Sequence, residues 1–284
     1  MNKYTPAKKS EERVAANSPQ NNSDFISLIQ KFESQMKLAL PKHLTPSRMT
    51  RIIITEVRKT PLLASCDRAS FFGAIITCAQ LGLEPGNALG QIYLLPYYNT
   101  KQGKHEVQLI VGYQGMIDLI ERDGRVTIDA QVVYEKDVFK YTLGTTSEII
   151  HEPYSGEEDP GQVIASYAVA RYKDGRTKFR VLRKHEIERA KKASMSGNKG
   201  WGPWKDYYAE MAMKTAVRRL FKLLPKNPEM SVVQAIEDKA EIGDTQELDG
   251  IYGDFKAENK VEALDEAAKP DPIPNGEGEN EKLN

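Results

Sequence analysis

The 284 residues are 40% hydrophobic and 28% charged, enough apolar material for the core of one large domain or two small ones. No apolar run reaches the roughly 18 residues of a membrane-spanning helix, and the first 20 residues lack the apolar stretch of a secretory signal, so a cytosolic globular protein is expected. The net charge of zero conceals an asymmetry: residues 237–284 carry 15 acidic and 5 basic side chains, leaving 25 acidic and 35 basic in residues 1–236, a division that suits a polyanion-binding body moderated by an acidic tail.

Residues 1–23 are polar and too poor in apolar side chains to offset the entropy of ordering, and they read as a disordered leader. Phe25, Leu28, Ile29, Phe32, Met36 and Leu40 recur at helical spacing up to Pro41. A second helix is expected after Thr45 and Pro46, with Met49, Ile53 and Val57 on one face, and a third from a Ser65 or Asp67 cap through Phe71, Phe72, Ile75 and Ile76 to Gly82. Residues 91–98 and 106–113 then read as a β-hairpin, and residues 114–122 as a short helix. Val126, Ile128, Ala130 and Val132 alternate as in a strand. Residues 163–172 and 177–182 form a second hairpin around Asp174 and Gly175. A basic helix over 184–193, a Gly-rich loop and a long helix over 204–224 ending at Pro225 complete the body. From Ile236 onward the aromatic and β-branched density falls, and the chain ends in Pro/Gly-rich linker composition. The expectation is an α+β fold with its ordered body at residues 24–232 and an acidic, largely disordered tail at 233–284.

Between Arg171 and Lys226 there are 17 Lys or Arg against 5 Asp or Glu, interleaved with Tyr172, Phe179, Trp201, Trp204, Tyr207, Tyr208 and Phe221. Cations for phosphates and flat rings for unstacked bases are what a single-strand groove requires. In residues 177–182, Lys178 and Arg180 share one strand face while Phe179 and Val181 share the other. Lys214, Arg218 and Lys222 form a stripe four residues apart, which reads equally as a solvated helix face. The three glycines of residues 194–204 allow backbone to approach a ligand beside Trp201; Trp204 reads as core or DNA contact with equal weight. Motifs for enzyme chemistry are missing. There is no Gly-x-x-x-x-Gly-Lys-Ser/Thr phosphate loop. His43, His105, His151 and His185 lie far apart, and Cys66 and Cys78 read as buried free thiols. The Glu-x-Lys pairs Glu237/Lys239 and Glu258/Lys260 fall in the acidic tail and read as solvated charges.

The run Thr60-Pro-Leu-Leu-Ala, the segments 72–86 and 91–99, Gln108-Leu-Ile-Val-Gly-Tyr-Gln-Gly-Met-Ile-Asp-Leu, and Trp204-Lys-Asp-Tyr-Tyr-Ala-Glu-Met-Ala-Met-Lys-Thr-Ala-Val-Arg-Arg-Leu together resemble the RecT family of phage recombinases, in the family's order and over most of residues 25–225. The resemblance implies a single-strand annealing protein that coats DNA left by a partner exonuclease and pairs it with its complement in an oligomeric ring or helical filament. It needs no ATP, takes no cofactor beyond magnesium as a DNA counterion, and could also contact host single-strand DNA-binding protein. It implies a curved antiparallel sheet backed by a helix, as in eukaryotic strand-annealing mediators, with single-stranded DNA and the annealed duplex in a groove between sheet and flanking helices. Carried onto this chain, Gln91, Tyr93, Tyr113 and Gln114 line that groove together with the basic stretch, from which Arg171, Lys178, Arg180, Lys184, Lys199, Trp201, Lys205, Lys214, Arg218, Arg219 and Lys222 are the candidates. No catalytic or metal-binding residue is assigned. A passive single-strand nucleic-acid-binding protein is the competing reading, and a metal-dependent nuclease using Asp118, Asp129 or Asp137 a more distant one.

Annealing requires strands held by their backbones with base edges free, so affinity should fall steeply with salt and vary little with base sequence. Titration of labelled oligonucleotides across a salt series checks this; a shallow slope contradicts it.

Overall fold

The computed structural model describes residues 4–6, 19–86, 89–194, 202–225, 227–242 and 244–259. Helices α1 (Pro19–Lys31) and α2 (Glu33–Ala39) are nearly continuous, and Phe25, Leu28, Ile29, Phe32 and Met36 are all buried, as their spacing predicts. Helix α3 (Pro46–Lys59) starts with Pro46 at its first position and buries Met49, Ile53 and Val57; a 3₁₀ turn (Pro61–Ser65) follows. Asp67 rather than Ser65 caps α4 (Arg68–Leu81): its carboxylate accepts the Ser70 N–H at 3.0 Å, and the helix ends at Gly82 with φ 63°. Helix α4 is apolar on every side, which requires cover all round. The earlier helices supply one flank. A three-stranded sheet supplies another: β1 (Tyr4–Pro6), β2 (Ile92–Asn99) and β3 (Lys104–Val111), antiparallel in the order β1-β2-β3. Of the expected leader, residues 4–6 are therefore a strand and residues 19–23 the first turns of a helix. Residues 1–3 and 7–18 lie outside the described residues.

After α5 (Tyr113–Glu121) comes a second antiparallel sheet in the order β4-β7-β8, from β4 (Val126–Tyr134), β7 (Val163–Tyr172) and β8 (Thr177–Arg183). The two strands of the second predicted hairpin are β7 and β8, turning at Gly175 with φ 84°. The β4–β7 register shifts between Val133 and Tyr134, so Ile164 has no partner opposite it. Between β4 and β7 the chain makes a separate two-stranded ribbon, β5 (Val138–Thr142) with β6 (Glu148–Glu152), which the sequence reading did not anticipate. Helices α6 (Lys184–Ala193), α7 (Pro203–Asp206) and α8 (Tyr208–Phe221) follow, the long helix expected over 204–224 being broken at Tyr207. Helix α8 backs the second sheet, where the buried Ser166 hydroxyl donates to the Ala212 carbonyl at 3.0 Å. The ribbon covers the opposite face and closes a second core of Val133, Ala165, Tyr167, Val169 and Val181.

The expected boundary at residue 232 does not hold. Helices α9 (Pro228–Ile242) and α10 (Leu248–Asn259) bury Met230, Val233, Ile236, Leu248, Tyr252 and Phe255 in the main core. Helix α10 lies so close on α4 that a Cβ on Gly73 would come within 1.7 Å of the Leu248 carbonyl oxygen. The outward edge of β3 is closed by side chains. The Gln246 amide both accepts the Leu109 N–H (2.7 Å) and donates to the Leu109 carbonyl (2.8 Å), the buried Glu237 carboxylate accepts the Val111 N–H (2.8 Å), and the Ser70 hydroxyl accepts the Val107 N–H (2.8 Å). These bonds satisfy backbone groups that would otherwise template a foreign strand. Residues 260–284 lie outside the described residues.

Deletion of residues 237–284 is therefore a poor probe of the acidic tail, because it strips partners from β3 and uncovers α4. It should lower the thermal midpoint sharply, and Phe255→Ala alone should cost roughly 3–5 kcal/mol. Deletion of 260–284, which removes 7 acidic and 3 basic side chains, is the clean test of tail charge. Calorimetry on the three variants checks the assignment, and an unchanged midpoint in the longer deletion would contradict it.

Candidate nucleic-acid interface

A groove of about 910 Å³ lies between the β5–β6 ribbon and α6. Its floor is apolar: Ala165 of β7, Val181 of β8, and Ile164, which the register shift leaves unpaired. Phe139 and Tyr141, two residues apart on β5 and thus on one face, form one wall. The other wall is α6, whose Lys184, His185, Glu188, Arg189 and Lys192 share a face because i, i+4 and i+8 positions stack, while Ile187 turns into the core. Arg183, at the strand-to-helix junction, donates from Nε to the Tyr141 hydroxyl at 3.1 Å and so ties the ring to the cationic wall. The Glu186 carboxylate in the first turn of α6 accepts the Arg183 N–H at 3.1 Å and also meets Arg180 at 3.3 Å.

Four cations, Arg183, Lys184, Arg189 and Lys192, thus face one carboxylate. Glu188 is engaged from outside the groove: the Tyr208 hydroxyl donates to it at 2.8 Å and Lys191 lies 3.8 Å away. Burial, with the Glu188 bond, pushes the Tyr208 hydroxyl well above the ordinary phenol range, so it remains a donor. The groove therefore presents excess positive charge beside two aromatic rings and an apolar floor, suited to phosphodiester and an unstacked base.

The residues expected from sequence divide. Gln91, Tyr93, Tyr113 and Gln114 do converge where β2 begins and α5 starts. The point where a Gly90 Cβ would sit is 3.3 Å from the Tyr93 hydroxyl and 3.8 Å from Gln114. Burial, and then Tyr113, raise the Tyr93 pKa. Glycine is required at 112 and 115, since a Cβ there would lie 1.9 Å from the Gly90 and 2.3 Å from the Gln91 carbonyl oxygen. Gln91, however, spends its side-chain oxygen on the Glu84 N–H (3.0 Å), bracing the preceding loop. Of the basic candidates, Lys184 lines the groove, its ammonium 2.6 Å from Gln162 Oε1. Lys178 and Arg180 do share a face, but it is the α8 side: Lys178 donates to the Leu223 carbonyl at 3.3 Å and Arg180 pairs with Glu186. Arg171 meets Asp129 at 3.6 Å; Lys205 and Arg219 are exposed, and Lys214 is half-buried.

The predicted stripe on α8 is not an open DNA face. Asp238 of α9 receives Lys222 at 2.7 Å and Arg218 at 3.4 Å, so an acid from the region read as tail occupies these two cations. Trp204 is core, 4% exposed, whereas Lys199 and Trp201 lie outside the described residues. Sequence reasoning missed Phe139, Tyr141, Arg183, Arg189 and Lys192. The signals were the Phe-x-Tyr alternation in 139–141 and the five- and eight-residue offsets from Lys184. Cys66 and Cys78 are buried free thiols, their pKa values pushed up to about 12 chiefly by burial, which leaves them unreactive at neutral pH. Among the described residues no three His, Cys, Asp or Glu gather as a metal site, and no helix is long and apolar enough to cross a membrane.

The sequence pattern of the RecT family matches residues 47–249, from α3 to the start of α10. The chain belongs to the RecT family. It is 46% identical over 240 residues to Protein RecT of Escherichia coli (strain K12), an alignment covering 81% of this chain and 88% of that protein. It is accordingly a single-strand annealing protein of DNA recombination, as its resemblance in sequence implied. The family match runs through α9, in agreement with the packing of that helix into the core.

Burial pushes the Asp238 carboxyl up, but Lys222, Gln234 and Arg218 together hold it below the ordinary carboxylate range. With a depressed folded pKa, its contribution to stability is present above the unfolded value and is lost as pH falls through the folded value. The stability gap between the native chain and Asp238→Asn should thus be widest near neutrality and close in acid, as urea midpoints across pH will show. A gap independent of pH would contradict the pairing.

Proposed function

We propose that the chain binds single-stranded DNA along the groove between the β5–β6 ribbon and α6, and presents it for pairing without nucleotide hydrolysis. The observation that carries this reading is the coincidence, in one groove, of Arg183, Lys184, Arg189 and Lys192 with the rings of Phe139 and Tyr141 over an apolar floor. Phosphates take the cations; an unstacked base rests on the rings, each stacked base contributing on the order of 1–3 kcal/mol. Pairing itself runs downhill, since each new base-pair step releases about 1.4 kcal/mol of stacking. The protein's part is to hold a strand extended, neutralise its phosphates and raise the local concentration of its complement, work that needs no covalent chemistry and no nucleotide. Magnesium enters only as a counterion of DNA.

Several copies are required to present a long strand, so a homo-oligomeric ring or helical filament acts on the product of a partner exonuclease in the bacterial cytoplasm, in exchange with host single-strand DNA-binding protein. The nuclease alternative finds no support in its proposed carboxylates. Asp118 pairs with Arg122 at 2.7 Å, Asp129 with Arg171, and Asp137 is consumed by His151 and two backbone amides.

Two complementary oligonucleotides mixed with the protein in the absence of nucleotide, and followed by fluorescence quenching, test the proposal. The triple variant Lys184→Ala/Arg189→Ala/Lys192→Ala should abolish acceleration and reduce the log–log salt slope by about 2, since each lost phosphate contact on a single strand removes about 0.7. Lys178→Ala/Arg180→Ala should do less, because those cations lie on the α8 side of the sheet, away from the groove. Full acceleration by the triple variant would remove the groove from the mechanism.

A further inference from the structure

Among the described residues, the ribbon that forms one wall of the groove makes no strand pairing with the main sheet and pairs with itself. Side chains help to hold it over the sheet, and several of them meet at one histidine. His151 of β6 places Nε2 3.0 Å from Asp137 Oδ2 and Nδ1 3.1 Å from the hydroxyl of Tyr167, a residue of the central strand β7. Both are enclosed, the side chains of His151 and Asp137 being 8% and 3% exposed. Phe139 stacks on Tyr167 with centroids 5.6 Å apart at 19°, and His151 stands edge-on to both rings at 5.6 and 5.5 Å.

Asp137 also accepts the Tyr134 N–H at 2.7 Å and the Tyr154 N–H at 2.9 Å, which fastens the entry and exit of the ribbon to one carboxylate. Burial raises the Asp137 pKa, but these two amides and His151 outweigh it and hold the group ionised. An ionised carboxylate only accepts, so the imidazole must donate from Nε2. In the neutral ring Nδ1 is then the acceptor and takes the Tyr167 O–H. With a neutral ring the chain of bonds runs from Tyr167 through His151 to Asp137 and ties ribbon to sheet. Tyr141, two residues beyond Phe139 on the same strand face, inherits its place in the groove from that tie and from Arg183.

We propose that His151, clamped between Asp137 and Tyr167, is the positioning residue that sets the ribbon over the groove and so aims the Tyr141 ring at a DNA base. The inference rests on the groove reading above and adds that base stacking and phosphate binding are separable. The clamp governs the first, and α6 with Arg183 governs the second. A clamp variant should keep phosphate contacts and lose the stack.

The test uses an oligonucleotide carrying 2-aminopurine, whose emission is quenched on stacking, with the full-length chain. Tyr141→Leu should lose the quenching and about five- to 150-fold in affinity. Tyr167→Phe removes one hydroxyl and keeps the ring against Phe139; it should lose most of the same quenching with the salt slope of binding unchanged. His151→Gln, whose amide nitrogen can take the donor place against Asp137 but whose side chain offers no acceptor at the former Nδ1 position beside Tyr167, should behave likewise. Thermal unfolding of each variant accompanies the titrations. Native quenching in Tyr167→Phe and His151→Gln, with quenching lost in Tyr141→Leu, overturns the clamp and leaves the groove. A salt slope that falls together with quenching assigns His151 a merely structural role and also overturns the clamp. If Tyr141→Leu itself quenches normally, the ring contacts no base, and the groove reading and the clamp fall together.

Discussion

The architecture around the groove follows from one strand. Every residue of β7 from Ala165 to Ala170 is buried, so the strand must be covered on both faces. Ser166, Ala168 and Ala170 are small enough for α8 to lie close on one side, and the Ser166 hydroxyl finds the Ala212 carbonyl there. Ala165, Tyr167 and Val169 face the other way and are closed over by a ribbon that contributes rings rather than backbone pairing. A cover made of side chains leaves a gap at its margin, floored by Ile164, Ala165 and Val181. That gap, bordered by the first basic helix after β8, is the groove.

Around the first sheet the governing constraint is satisfaction of polar backbone. Edge strands with unpaired amides invite addition of other strands. Here β3 is closed by Ser70, Glu237 and Gln246, and Ile128 on the edge strand β4 is met by the Glu121 carboxylate at 2.6 Å. Burying Glu237 is costly unless it is paired, and both the Val111 amide and Arg218, 4.0 Å away, compensate it. The C-terminal helices are thus fastened by buried hydrogen bonds as well as by Leu248, Tyr252 and Phe255 against α4.

Charge is arranged by the same helices. The asymmetry between a basic body and an acidic C-terminal region is in part an internal pairing, since Asp238 neutralises Arg218 and Lys222. Along α6, Lys184, Arg189 and Lys192 share the face that lines the groove. Net charge along the chain is therefore a poor map of the surface potential, because it counts cations already held by acids across a helix pair.

The amino-acid sequence by itself determined the family, through ordered motifs over most of the chain, and the elements whose signal is local. These include α3 and α4 from their periodicity and caps, the β2–β3 and β7–β8 hairpins from alternation and turn residues, and α6 from its charge pattern. It also determined that Lys178 and Arg180 share a face, though not which. Only the tertiary structure decided the rest. Residues 233–259 looked like tail because their apolar side chains are diluted by acids, yet α10 is buried on α4, more than 150 positions away in the chain, and α9 against β3 and α5. The ribbon at 138–152 is five residues a side and marginal alone, so it exists by virtue of its stack on Tyr167. Which cations are free and which are held is likewise a matter of what packs against them, since the charge of a side chain is local but its partner is not.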